Sequence, residues 1–532
     1  MSRDPRSPVL IVGAGPVGLT MACELARYGV PFRLVEQRPG PSTTSKALAV
    51  FPRTLETFEI MGMISSVLEK GHRLDGLSLS NGETSLGELT FAELPSRYRC
   101  VISLPQSDTE GLLIEHLTRL GGKVEWSTTL MGLSQDGDRV RATLRGPSGA
   151  EESTEVPWLI GCDGAHSAVR HALDLKFAGE QYDQSFLLAD VKLDPPIEEN
   201  RAHAFLSEEG LFAFFPFGDG RFRIVAQVEL PPKEAGDLPP PDLSEITQLV
   251  RQRSPVTSEI SDVTWSSRFR ISARKIAQFR HGHVFLCGDA AHIHSPAGGQ
   301  GMNTGIQDAF NLAWKLAYFT KGLSRDRLLD TYHDEREPVA QGVLHLTDRL
   351  THFATTHSTV LQQVRNFILP VVVGIGAVRH RMVERLAELT IAYPQSSMVT
   401  GRYGHFHGGD RMPDVEFAAT DGSPLRLYEI LAAERRPLLL VNEGASPVPT
   451  LRTWNLPDHF AKLVVVRLVA TEAGASGALS MLLDAKREFH DAVGTEKAGL
   501  ILIRPDGYVG LACGDLDFRK LEVYLERLYE VG

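Results

Sequence analysis

At 532 residues the chain is long enough for two or three domains rather than one. Its formal net charge of -11 argues against general affinity for nucleic acid or anionic membrane, which needs clustered positive charge. An apolar fraction of 42% is ordinary for a globular protein with sizeable cores. The five cysteines, Cys23, Cys100, Cys162, Cys287 and Cys513, are scattered without a CxxC pair or metal-ligand spacing, and a reducing cytoplasm is the expected setting. The most apolar later stretch, Phe367 to Val378, is broken by Pro370, Gly374 and Gly376, and a bilayer span needs about 20 apolar residues. No secretory signal pattern is visible either, so a protein without a membrane span is expected.

In chain order, Val9 to Val12 reads as a buried strand, Leu19 to Tyr28 as a helix ended by Gly29, and Phe32 to Val35 as a second strand. That is a βαβ unit. Ser42 to Lys70 reads as mostly helical, whereas Gly76 to Leu89 and Lys123 to Ser153 alternate like antiparallel strands. Val156 to Ile160 returns as a buried strand. Phe212 to Phe217 and Arg221 to Val228 flank the turn Gly218-Asp219-Gly220 and predict a hairpin. A Pro-rich loop, Pro231 to Pro241, precedes a short helix from Leu243 to Arg253. Val284 to Cys287 is strand-like, and a long helical region runs from Gly301 to about Tyr393. After a Gly- and His-rich segment from Tyr403 to Pro413, strands near Pro437 to Val441, Lys462 to Arg467 and Leu500 to Arg504 alternate with helices, as in a small separate α/β domain.

Three segments carry chemistry. Gly13-Ala14-Gly15-Pro16-Val17-Gly18 is a GxGxxG turn directly between a strand and a helix, where glycine permits the tight turn and close approach to a pyrophosphate. The helix start favours that anion, and Glu36, at the end of the next strand and followed by Gln37 and Arg38, is placed to meet ribose hydroxyls. Dinucleotide binding follows, with FAD and NAD both open at this point. The second segment is Cys162-Asp163-Gly164-Ala165-His166-Ser167 with Arg170. The third is Cys287-Gly288-Asp289-Ala290-Ala291-His292, running into Pro296-Ala297-Gly298-Gly299-Gln300-Gly301-Met302-Asn303.

With its three ordered motifs the chain resembles the single-component FAD-dependent aromatic hydroxylases, the family of para-hydroxybenzoate hydroxylase and phenol hydroxylase. The likeness covers about the first 390 residues. The tail resembles the thioredoxin-like C-terminal domain of the phenol hydroxylase and polyketide hydroxylase branch. An α/β protein is implied: a Rossmann-type FAD-binding domain with a helical region (1–176 and 275–400), an inserted mixed β-sheet substrate domain (177–274) and a thioredoxin-like domain (401–532). The resemblance further implies that Gly13, Ala14, Gly15, Pro16, Gly18, Glu36, Gln37, Arg38, Lys46, Gln106, Asp163, Gly288, Asp289, Pro296, Gly299, Gly301, Met302 and Asn303 hold FAD. His166 and Arg170 match positions that bear on a pyridine nucleotide. Lys46 stands where many relatives carry arginine, which keeps the charge but loses the forked donor set.

The activity implied is hydroxylation of a phenolic or polyketide aromatic through a flavin hydroperoxide, with NADH or NADPH and O2 as co-substrates. Neither a second dinucleotide fingerprint nor a CxxxxC pair is present, against a disulfide reductase, and no WxWxIP stretch marks a halogenase. Baeyer–Villiger or epoxidising chemistry on a polyketide stays open, as does a flavoprotein that binds an aromatic ligand without turnover. The pocket is expected between the FAD domain and the sheet, with Phe205, Phe214, Phe215, Pro216 and Phe222 as wall residues; Arg221 and Arg223 either line a pocket for an acidic substrate or face solvent, and the solvent-facing reading is preferred. No catalytic base is assigned. No metal is expected, since His292 and His294 lack a completing ligand. The C-terminal domain, without CxxC, is expected to serve packing, and a homodimer is possible on this reading.

Overall fold

The computed structural model describes residues 7–529 apart from 83, 208–209, 230–238, 295–297, 355–375, 446–447, 449–450, 452–453 and 473–478. Pro296, most of the apolar stretch from Phe367 and most of the Pro-rich loop from Pro231 lie outside the described residues.

Val9–Val12, Phe32–Val35, Leu159–Gly161 and Val284–Leu286 are short, fully apolar or nearly so, and pair in parallel at the centre of a six-stranded sheet. Runs of this kind are buried on both faces, which requires helices above and below. Helix Pro16–Arg27, entered through Pro16 at its first turn, and helix Gly301–Thr320 supply cover. They come close because Gly288 and Gly305 leave room for Val17, whose Cγ2 would lie 2.8 Å and 2.7 Å from a Cβ at those positions. Three long side chains that would be costly to bury unpaired lock this layer. Asp308 takes Arg336 Nε at 2.7 Å, His292 Nε2 at 2.7 Å and the Gly288 N–H at 3.1 Å, all fully enclosed.

The segment from Ser42 to Ala47 differs from the helical expectation. It is a loop, because Ser45 Oγ accepts the Gln106 N–H and the Gln106 side chain accepts the Ala47 N–H, tying it to helix Gln106–Arg119. Helices follow only at Pro52–Met61 and Ile64–Lys70.

The second layer is an eight-stranded sheet in the order His292–Ile293, Glu259–Lys275, Ala178–Asp194, Arg221–Val228, Gly210–Gly218, Arg201–Ser207, Gly76–Ser80 and Ser85–Thr90. Its first and last members come from outside 177–274, so the inserted sheet is completed by strands from the segments on either side. Helix Leu243–Arg253 packs on one face through Ile246 and Val250.

The C-terminal domain begins with Thr400–Tyr403 and builds a nine-stranded sheet. At its centre Val509–Cys513, Gly499–Ile503, Leu438–Asn442 and Val465–Ala470 lie side by side; only the last pair is parallel, which is the thioredoxin-like arrangement. This domain is bolted to the first. Arg504 donates to both oxygens of Glu335, at 2.7 Å and 2.8 Å, and Lys315 Nζ meets the same carboxylate at 2.8 Å. Arg53 reaches the Asp506 carbonyl at 2.8 Å. The cations hold Glu335 well below the carboxylate range despite its burial, and burial brings Lys315 down to about 8. Buried ion pairs of this kind fix an orientation more surely than they add stability. Cys513 sits apart, its Sγ donating to Asp515 Oδ1 at 2.9 Å, and burial pushes its thiol up to about 11. A thiol held protonated is a poor nucleophile.

Candidate functional site

The three glycines of the first turn do three different things. Gly13 has φ +99, and a Cβ there would meet the Cys162 carbonyl at 2.5 Å. A Cβ at Gly18 would fall 1.9 Å from the Gly13 oxygen, so strand and helix touch backbone to backbone. Gly15, by contrast, faces open space with no atom within 4 Å of a Cβ. The turn is packed against protein at two positions and left clear at the third, where the first N–H groups of helix Pro16–Arg27 have no side-chain cap.

Behind it, Glu36 accepts the Ala14 N–H at 2.8 Å and the Arg38 N–H at 3.0 Å. Burial raises its carboxyl, but these bonds and the Arg38 guanidinium outweigh that and keep it below the ordinary range. Arg38 also bonds the Ala14 carbonyl at 3.3 Å and Glu110 at 3.5 Å, and Gln106 donates to Glu110 at 3.0 Å. Glu36, Arg38 and Gln106 thus brace the cradle, while Gln37, Lys46 and Gln106 reach its wall.

The cradle opens into one cavity of about 2120 Å³. Asp163, Gly164 and His166, then Asp289, and Gly299, Gly301 and Met302 at the start of helix Gly301–Thr320 all line it. Two acids face it. Asp163 accepts the Val169 N–H through Oδ2 at 3.1 Å, while its Oδ1 is buried without a hydrogen-bond partner. Asp289 turns its carboxyl into the cavity; enclosure raises it, and His292 and Lys46 partly offset the effect. A clear glycine at a helix start, an unsatisfied carboxylate and a second carboxylate aimed inward fit a dinucleotide with hydroxyl-bearing linkers.

Several expected contacts are occupied differently. Asn303 is fully buried and spends its side chain on the Phe51 N–H at 3.0 Å, the Ala49 carbonyl at 2.9 Å and the Gly299 carbonyl at 3.1 Å. It braces the start of the helix and does not line the cavity. Arg170 donates to the carbonyls of Ala290 at 3.1 Å and Ala165 at 2.7 Å and lies 4.0 Å over the Phe177 ring, leaving 3% of it exposed. It staples the Asp163 loop to the Asp289 loop. His166 is exposed at the cavity wall.

The sheet supplies the opposite wall, and here the aromatic expectation divides. Phe205, Phe214 and Phe222 lie on the far face, packed edge-on to one another and against helix Leu243–Arg253. Pro216 pairs with Phe222 and shares that side. Phe215 alone of the five lines the cavity, beside Ala202, Ala204 and Ala213. Alternation along a strand enforces the split, and large fully apolar rings take the side that a helix closes.

Arg223 also departs from expectation. It is buried, not solvated, and forks onto Asp190 at 2.7 Å and 2.8 Å from the adjacent strand. Its guanidinium stands 5.2 Å from the Trp265 ring centre and donates to the Ala47 carbonyl at 3.2 Å, joining the sheet to the cofactor loop. Arg221 is held by Asp262. Alternation with Phe222 placed Arg223 on the side away from the core; what it could not tell was that this side is enclosed by another domain. Helix Gly376–Leu386, which completes the wall with Met382 and Leu386, carried no motif at all. Among the described residues no group of three His, Cys, Asp or Glu is placed to hold a metal, and no helix is long and apolar enough to cross a membrane.

Comparison with known proteins agrees with this geometry. Residues 6–347 match the FAD binding domain family and residues 405–530 the aromatic-ring hydroxylase C-terminal family. The chain belongs to the FAD-dependent aromatic-ring hydroxylases, and it is a flavin monooxygenase. It is 35% identical to 6-methylpretetramide 4-monooxygenase of Streptomyces rimosus, over 94% of this chain and 90% of that one. Pentachlorophenol 4-monooxygenase of Sphingobium chlorophenolicum is 31% identical, over 98% and 97%. Among solved structures, a ternary complex of aklavinone-11 hydroxylase with FAD and aklavinone superposes with TM-score 0.78 at 26% identity, covering 99% of each chain.

Proposed function

We propose that the cavity holds FAD and, against the sheet, a multi-ring aromatic substrate that the enzyme hydroxylates with O2 and NADH or NADPH. The size of the cavity carries this reading. About 2120 Å³ in one continuous space exceeds the ~300–1,000 Å³ usual for a single small ligand. The relatives named above are a 6-methylpretetramide 4-monooxygenase, a pentachlorophenol 4-monooxygenase and an aklavinone-11 hydroxylase, and an aromatic substrate is in keeping with all three.

On this reading the N–H groups after Gly15 would hold the pyrophosphate, Asp289 would bond a ribityl hydroxyl, and the backbone at the start of helix Gly301–Thr320 would serve the flavin ring. Bound FAD supplies the electron transfer and the activation of O2. The positive end of that helix, aimed through the backbone of Gly301 and Met302, favours negative charge on the reduced ring. Phe215, Phe186 and Trp265 offer ring contacts for the substrate, and Ala202, Ala204 and Ala213 leave it room. Arg223, locked by Asp190 and reaching Ala47, holds the substrate wall at a fixed distance from the cofactor loop, and orientation of this kind lowers the barrier to transfer.

Purified enzyme, offered phenols and hydroxylated anthraquinones in turn, should consume NADH or NADPH faster with the polycyclic compounds. Equal stimulation by simple phenols would contradict the multi-ring assignment. His166 remains the candidate for nucleotide docking, and its replacement by Ala should slow flavin reduction while FAD stays bound. Arg170, whose donors are spent on two carbonyls, is better read as a brace.

A further inference from the structure

Helix Gly376–Leu386 lines the cavity with Ala377, Val378, Arg381, Met382, Arg385 and Leu386, a stripe at helical spacing. On the rest of the helix, charge is neutralised: Arg379 approaches Glu93 at 3.8 Å, and His380 lies 3.1 Å from Glu384. On the stripe it is not. Arg381 and Arg385 are exposed toward the cavity, one turn apart, and no carboxylate among the described residues pairs with either. Like charges four residues apart destabilise a helix, so a pair left uncompensated is unfavourable without a counter-charge. Elsewhere on the cavity wall, Arg170 and Arg223 have their donors engaged by protein. On the sheet Arg268 is held by Glu245 and Arg274 keeps a buried Nε without a hydrogen-bond partner; Arg381 and Arg385 differ in standing exposed together on one helix, beside apolar Val378 and Met382.

We propose that Arg381 and Arg385 bind an acidic substituent of the aromatic substrate, so that the preferred substrate class is an anionic polycycle bearing a carboxylate. This rests on the multi-ring reading of the cavity. The rings pack on Val378, Met382 and the sheet, and the carboxylate takes the forked donors of the two arginines, a geometry arginine matches two bonds at a time. The phosphates of the nicotinamide nucleotide share that anionic chemistry, and the test separates the two sources.

Isothermal titration of the FAD-loaded enzyme with anthraquinone-2-carboxylate, anthraquinone-2-carboxamide and the oxidised nucleotide NADP+ reads binding without turnover. The wild-type enzyme should bind the carboxylate about tenfold more tightly than the carboxamide, as expected for one or two charge-assisted bonds in a partly solvated site. The preference should shrink as salt is raised. In the double variant Arg381→Gln, Arg385→Gln, which keeps helix-forming side chains at exposed positions, the ratio should fall to near one with carboxamide affinity and FAD content retained. No carboxylate preference in the wild type, or a preference that survives the double substitution, overturns the proposal. So does a loss confined to NADP+ affinity, which assigns the arginines to the nucleotide. Failure of the hydroxylase reading is read separately, as the absence of ring-stimulated NADPH oxidation with any compound.

Discussion

On strand Gly210–Gly218, Phe212 and Phe214 point to one side and Leu211, Ala213 and Phe215 to the other. The first side meets helix Leu243–Arg253 and is filled with rings at centroid distances of 5.1 to 6.3 Å. The second is only partly covered: Leu211 and Phe215 touch a smaller apolar cluster that includes Phe51 and Leu89, and alanines and a buried ion pair border a cavity there. The same backbone thus provides a core on one face and a binding wall on the other, and the two should respond oppositely to substitution.

The largest effect on stability is expected on the closed face. Phe214→Ala removes a ring with 0% exposure and should cost about 3–5 kcal/mol in urea unfolding. Phe215→Ala, half-buried on the cavity side, should stay within about 1 kcal/mol and instead weaken aromatic binding. Equal losses from the two would dissolve the distinction between the faces. Arg223 sharpens it, because it lies on the open face yet is 2% exposed. Arg223→Met strands Asp190 and should cost about 3 kcal/mol, and pairing it with Asp190→Leu should restore much of that. A stable single variant would mean that Asp190 finds solvent through the cavity.

The cofactor turn permits a cleaner separation. A Cβ at Gly15 meets no protein atom, so in Gly15→Val the apo-protein should lose only about 1 kcal/mol, from a poorer helix cap, while flavin absorbance disappears from the purified enzyme. Gly18→Ala collides with the Gly13 carbonyl and should disturb the fold itself. Retained flavin in Gly15→Val would remove the pyrophosphate from this turn.

The last effect is one of slope and concerns pH. Glu388 accepts from Thr304 at 3.4 Å and from Gln307, both on helix Gly301–Thr320, and burial pushes its carboxyl up to about 8 against the partial offset of Arg336. Its folded value lies above its unfolded one, so its contribution is full on the acid side. That contribution is lost as pH rises from the ordinary carboxylate range to about 8, at no more than about 1.4 kcal/mol per unit. Glu388→Gln should flatten the stability profile over that window; an unchanged slope would show that Glu388 is ionised in the folded protein.

Local pattern made much of the fold legible. Val9–Val12, Phe32–Val35 and helix Leu243–Arg253 lie where periodicity places them, because each is decided by its own residues. What periodicity could not reach depends on other parts of the chain. Strand Gly76–Ser80 joins the inserted sheet through Arg201–Ser207, more than a hundred residues away, and no local signal announces that partner. The face chosen by Phe214 depends on where a later helix packs, and the burial of Arg223 depends on Asp190 and on Ala47 of another domain. Residues of all three motifs line one cavity, but Asn303 and Arg170 show that a side chain inside a motif can be consumed by its own scaffold.

Oxygen transfer inside the cavity is tested most directly with isotopically labelled O2. Enzyme, NADPH and a hydroxylated anthraquinone are incubated under the labelled gas, and the products are weighed by mass spectrometry. One labelled hydroxyl on an intact ring is the expected result. NADPH consumed with only peroxide released, or the label found within an opened or lactonised ring, would contradict aromatic hydroxylation.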